Sequence, residues 1–411
     1  MRLIDVRPAA AALVVMLATA RAALGQSAES VETLCTGPDP DRAIPACTAL
    51  IERATTDRAW LPVLYFDRGL AYQAKGLYDR ALSDFNTTIA MQPRDARVYY
   101  ARASIWYVQH SFDRARADFD RAATLDPANG LFVFWRGMVA YRQADYDRAL
   151  GDFERAIVLD PQSPTYLVGR GSVWIRKADY DRALADLDHA LQLDPSFPEA
   201  WTQKGRLHRL RGEYDAAIAQ SDRAISLKPT GAAYYNRGVS YLAKGNLAQA
   251  KADLDRAVEL QPDDHDNWTE RGLVDTELGS LDAALTDYDR AVALDPKDAV
   301  AYNGRCWVRV LAKKPADALA DCDRSLQLSP NDAATLDSRG YAHLGLNQNA
   351  AALADFGAAL ARDPKLASSL YGRGIAKRRS GDVAGGDADV AAARALDNAA
   401  VETVIRYGIA P

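Results

Sequence analysis

Bond-making at neutral pH needs histidines, cysteines or paired carboxylates held close together, and this chain scatters most of its candidates. The five histidines, His110, His189, His208, His265 and His343, lie in distant stretches, so no imidazole couple suggests a base or a metal ligand. No His-Glu-x-x-His, Gly-x-Ser-x-Gly or phosphate-cradling Gly-x4-Gly-Lys-Ser/Thr stretch occurs. Aspartates and glutamates recur evenly, and no two stand out as an acid–base couple. We therefore expect no enzyme activity, no cofactor and no metal. The four cysteines are the exception, because they fall into two close pairs, Cys35 with Cys47 and Cys306 with Cys322. Four cysteines allow three connectivities. Two local disulfides are the favoured reading, with inert buried thiols as the alternative; a metal site is disfavoured because no histidine accompanies either pair. Asn86-Thr87-Thr88 and Asn267-Trp268-Thr269 match a glycosylation acceptor, a pattern short enough to arise by chance.

The elements that hold these residues show in residues 62–95. Tyr65, Gly69 and Tyr72 stand at i, i+4 and i+7, one face of a helix. Gly76 follows as a helix stop. Ala81, Phe85, Thr88 and Met91 draw a second stripe, ended by Pro93. Such a hairpin cannot bury its apolar face alone and needs a neighbour of the same shape. Pro93, Pro127, Pro161, Pro195, Pro229, Pro262, Pro296, Pro330 and Pro364 repeat every 34 residues, with one step of 33. With this proline numbered 32, repeats one to ten start at residues 62, 96, 130, 164, 198, 231, 265, 299, 333 and 367. Position 8 is Gly in eight of the ten and position 20 is Ala in nine, letting the two helices approach closely. Cys306 and Cys322 take positions 8 and 24 of repeat eight, where other repeats place a glycine against an aromatic. Cys35 and Cys47 would meet across an earlier hairpin.

Trp201-x2-Lys204-Gly205, Trp268-x2-Arg271-Gly272, Ala81-x3-Phe85, Ala115-x3-Phe119 and Ala149-x3-Phe153, each closed by the proline, resemble the tetratricopeptide repeat (TPR) family. The resemblance covers residues 62–400 and is nearest to exported bacterial multi-TPR scaffolds. It implies an all-α, right-handed α-solenoid of about ten stacked helical hairpins. It also implies a concave groove lined by the first helix of each repeat, mainly at positions 2, 5, 9, 12 and 13. In repeats two and three these positions include Tyr100, Tyr107, Phe134, Met138 and Tyr141, and Arg142, Arg176, Arg206 and Arg209 follow. The candidate groove thus offers apolar contacts first and basic ones later, suited to an extended peptide with acidic groups. The competing reading makes the aromatics inter-repeat core and the arginines a solvated face. Family members that clamp a C-terminal carboxylate use a Lys and two Asn; here Asn303 stands without that set.

One departure from the family pattern is itself periodic. Position 7, usually Leu, is basic in every repeat, from Arg68 to Arg373, and position 23 is Asp in nine. The exception pairs Lys204 with Gln220 in repeat five. That coincidence points to an Arg–Asp contact between the two helices of each repeat, a structural ladder rather than ten ligand sites.

Residues 1–25 read as a secretory signal, with Arg2 and Arg7 before the short apolar run Ala9–Ala20. Such a run is shorter than the ~20 residues a membrane span needs, and nothing later in the chain is longer. Residues 26–61 read as an N-terminal capping hairpin and 401–411 as a tail. Cleavage after Gly25 takes the net charge from −5 to −7, an acidic balance that argues against nucleic acid. The expectation is a non-catalytic scaffold, periplasmic or secreted, that binds a protein or peptide segment. The alternative is an intracellular adaptor or co-chaperone-like protein.

Overall fold

The computed structural model describes residues 30–54 and 59–409; the signal read in residues 1–25 lies outside them. Among the described residues there are helices and no strands. A short pair, Val31–Cys35 and Pro40–Arg53, comes first. Ten hairpins follow, each with a helix A and a helix B, from Leu61–Ala74 with Tyr78–Met91 to Ala367–Arg379 with Val383–Leu396. Asn398–Arg406 closes the chain. Consecutive helix pairs stack on one another as in an α-solenoid. The chain divides into two compact parts, Met1–Leu207 and His208–Pro411, described separately below.

Local chemistry sets each hairpin. In five of the ten repeats helix A begins after an Asp or Asn whose side chain accepts from a backbone N–H of the first turn: Asp95, Asn129, Asp264, Asp298 and Asp332. It ends at position 15 in the left-handed region in all ten repeats, with φ of 58–95°. Glycine occupies that position in five repeats, while His110, Ala144, Ala178, Lys313 and Asn347 adopt it against their own Cβ. The tight A–B contact explains position 8. A Cβ on Gly69 would lie 2.6 Å from Phe85, and one on Gly340 would lie 2.6 Å from Phe356. In repeat eight the same two places hold Cys306 and Cys322, bonded as a disulfide with Cα atoms 5.5 Å apart. Cys35 and Cys47 are bonded across the first short pair.

In repeats two, five and seven a position-4 aromatic ties the repeat to the one before it. The Trp201 and Trp268 indoles donate to the Pro195 and Pro262 carbonyls at 2.9 Å, and the Tyr99 hydroxyl donates to the Pro93 carbonyl at 3.2 Å. The proline thus stops helix B while its carbonyl anchors the following helix A.

Candidate functional site

The periodic charges form the ladder. Nine rungs join a position-7 arginine to the position-23 aspartate of its own repeat. In repeat seven, Arg271 donates to both Asp287 oxygens at 2.7 Å, and Asp287 is 2% exposed. Arg271 also has a third arm, donating to Asp255 of repeat six at 3.0 Å. The same arm runs from Arg102 to Asn86, Arg136 to Asp120, Arg237 to Asp222, Arg305 to Asp289 and Arg339 to Asp323. Each such arginine therefore joins three helices and two repeats. Lys204, lacking the fork, makes only the backward contact, to Asp188 at 2.7 Å. These charges are consumed by architecture.

The candidate groove residues divide by burial. Tyr100, Phe134, Met138 and Tyr107 are buried in the core of Met1–Leu207. Position 5 leans on the position-24 ring of its own repeat: Tyr100 on Phe119 at 5.8 Å, and Phe134 on Phe153 at 5.3 Å between centroids. Tyr107 meets Phe112 and Trp135 edge-on. These rings pack within the apolar core of Met1–Leu207.

The arginines brace aromatics. Arg142 lies over Phe112 and hydrogen-bonds Tyr107. Arg176, exposed, donates to the Tyr146 hydroxyl at 3.1 Å. Arg206 is buried and hydrogen-bonds half-buried Tyr141, two repeats away. Burial pushes the Tyr141 phenol up from its ordinary pKa, against the opposing pull of Arg206. In His208–Pro411, Arg209 lies over Tyr235 and donates to Asn236 at 3.3 Å.

Sequence reasoning missed a second polar face in His208–Pro411. In repeat seven, Glu270 has a raised pKa because burial disfavours its charge, opposed by Arg209; Asp266 is raised in the same direction by partial loss of water, opposed by His265, although its side chain stays 51% exposed. His265 lies 3.1 Å from Asp298, a hydrogen bond that raises the imidazole pKa. Asp337, at position 5 of repeat nine, is pushed up to about 6 by burial, opposed by hydrogen bonds from Ser369 (2.5 Å) and Ser368. The signal was available, because position 5 is aromatic in repeats one to three but Thr269, Asn303 and Asp337 in repeats seven to nine.

The other histidines serve locally. His208 and His343 contact the position-16 residues Glu213 and Gln348 at 2.5 and 2.6 Å. Asn267 of the second acceptor pattern is buried and donates to two backbone carbonyls. Among the described residues no group of His, Cys, Asp or Glu could hold a metal. No described helix is long and apolar enough to cross a membrane.

Stacked hairpins with Gly at 8, Ala at 20 and Pro at 32 define a helical-repeat protein. Tetratricopeptide repeat models match residues 66–130, 107–164, 134–196, 168–232 and 237–303, more than half of the sequence. The chain belongs to the tetratricopeptide repeat family. No curated protein matches it significantly. Among solved structures, a tetratricopeptide repeat protein from Parabacteroides merdae aligns over 60% of this chain and 98% of its own, at 18% identity and TM-score 0.51. The APC/C hetero-tetramer Cut9–Hcn1 aligns over 90% of this chain and 93% of that chain, at 14% identity and TM-score 0.53. YrrB, a TPR protein with an unusual peptide-binding site, aligns over 46% and 97% at 23% identity and TM-score 0.37. At these identities the likeness establishes the fold. TPR repeats make the chain a protein-interaction scaffold, of a fold that is typically non-catalytic.

Proposed function

We propose that this scaffold is exported and holds an extended peptide or protein segment along its helix-A face, without catalysing a reaction. The supporting observation is the contrast between the two sides of each repeat. The ladder side is saturated with internal pairs, whereas the helix-A face changes character from repeat to repeat. In repeats three and four, half-buried Tyr141 and Arg142 and exposed Arg176 lie on the same helices or the next helix A after the buried apolar Tyr100, Tyr107, Phe134 and Met138. Guanidinium groups on tyrosine edges recognise a carboxylate through charge-assisted hydrogen bonds, so an acidic segment is the proposed ligand there. The net charge of −5 makes nucleic acid the weaker candidate. Two bonded cysteine pairs are consistent with an oxidising compartment, periplasmic or extracellular.

The test is binding of labelled acidic and basic peptides to the purified chain and to Arg142→Glu/Arg176→Glu. Acidic peptides should bind the parent and lose at least about tenfold in affinity with the variant. Equal binding by both chains would remove the acidic ligand. Non-reducing peptide mapping of exported material should return both disulfides, and four free thiols would remove the export reading.

A further inference from the structure

The end of the chain reaches further back than a cap requires. Helix Asn398–Arg406 buries Val401 and Val404. Ile405 and Ile409 join the same apolar cluster, which holds Tyr341, Tyr371 and Ile375 of repeats nine and ten and the partly buried Trp307 of repeat eight. The Tyr371 hydroxyl donates to the Ile409 carbonyl at 3.4 Å. Two contacts lie beyond. The Tyr407 hydroxyl stands 3.5 Å from where a Cβ on Gly279 would be, and Lys313 Nζ stands 2.7 Å from where one on Gly408 would be. Gly279 and Lys313 are the position-15 residues that end helix A in repeats seven and eight. Solvating the last hairpin needs contact with repeat ten alone, so a contact with repeat seven serves something else.

Position 9, one of the groove positions, is buried in repeats two to five as well, at Ser104, Met138, Ser172 and Arg206; what differs at the end of the chain is what shares the cluster. Leu273 in repeat seven is 40% exposed, and Trp307 in repeat eight is partly buried. Tyr341 and Ile375 in repeats nine and ten are 1% and 0% exposed. In repeats eight to ten these position-9 side chains share their apolar cluster with Val401, Val404, Ile405 and Ile409 of the tail.

Resting on the reading of the helix-A face as partner-binding, we infer that residues 398–409 are a tethered occupant of that face in repeats seven to ten. The partner it takes is a short amphipathic helix, with apolar side chains spaced like Val401, Val404 and Ile405, that must displace the tail. This is helix-in-groove recognition, in which i, i+3 and i+4 anchors enter an apolar groove. The tether holds the tail at high effective concentration, so an outside helix competes only if it binds better or if the tail is first released.

The probe is a labelled synthetic peptide of residues 398–409, titrated against the full chain and against the full chain carrying Val401→Asp and Val404→Asp. The substituted chain should bind one peptide at least about tenfold more tightly than the parent. A peptide carrying Val404→Asp should not bind. A substituted chain that keeps its far-UV circular dichroism yet ignores the peptide overturns the inference. Should the double substitution unfold repeat ten, Tyr407→Ala with Ile409→Ala leaves Val401 and Val404 in place. Hydrogen exchange at Leu278, Gly279 and Ser280, whose amides bond within the end of helix A of repeat seven, should then quicken; unchanged protection overturns the inference. The peptide measures the tail against its own face and needs no outside partner. Its failure therefore leaves the proposed scaffold function standing, and loss of acidic-peptide binding leaves this result standing.

Discussion

Repeats two to four and repeats seven to nine use one ladder and build opposite faces on it. In the first group, position 5 is Tyr100, Phe134 and Val168, all buried in continuous apolar clusters. In the second it is Thr269, Asn303 and Asp337, all polar, and repeat seven adds Asp266, Glu270 and His265. The rungs are the same in both: Arg136 with Asp152, and Arg271 with Asp287. Within the same hairpin, the rung positions repeat while position 5 varies.

The sharpest way to break that comparison is at the ladder. Arg271→Ala leaves Asp287 buried and uncompensated, which should cost about 3–5 kcal/mol in urea unfolding. Lys204→Ala in repeat five should cost no more than about 1 kcal/mol, because its partner Asp188 is half exposed. Equal losses would show that the rungs are not what distinguishes the repeats. Next comes the repeat-eight disulfide. Cys306→Ala/Cys322→Ala opens a loop with a sequence separation of 16 and should lose about 3 kcal/mol, read against the parent under oxidising conditions.

A smaller effect separates the faces by pH. Burial raises the folded pKa of Asp337 to about 6, from an ordinary 3.8. The folded state therefore binds the proton more tightly than the unfolded one, and stability falls as pH rises from about 4 to about 6. Asp337→Asn should remove this dependence and stabilise the chain by about 2–3 kcal/mol above pH 7, with no gain at pH 4. The corresponding apolar position in repeat three, Phe134, contributes nothing of the kind. The smallest effect is expected at position 15. Ala144→Gly and Ala178→Gly relieve a left-handed backbone and should each stabilise by about 0.5–1 kcal/mol, read as a raised Tm.

The repeat was legible because its determinants are local: a proline that stops helix B, a small residue where Phe85 or Phe356 presses on helix A, and a position-15 residue that turns the chain. The Arg–Asp rung was legible from the joint exception of Lys204 and Gln220. Its third arm could have been read from Asp120, Asp188, Asp222, Asp255, Asp289 and Asp323, which recur at position 25. The candidate site was less so. Whether Tyr100 faces a ligand or Phe119 depends on how closely neighbouring hairpins stack, and Arg206 finds Tyr141 two repeats away. No local pattern encodes those distances. The tail's reach to Gly279 was hidden for the same reason.

The backward arm, present on six of the nine arginine rungs, bears on how the array comes apart. Where it exists, opening one hairpin strands a carboxylate on its neighbour, so the two tend to unfold together. Position 25 of repeat nine is Gly357, which gives Arg373 nothing to hold. Arg170 makes no backward bond either, so the joints before repeats four and ten are the expected weak points, and repeat ten, at the end of the array, should fray first under heat or tension.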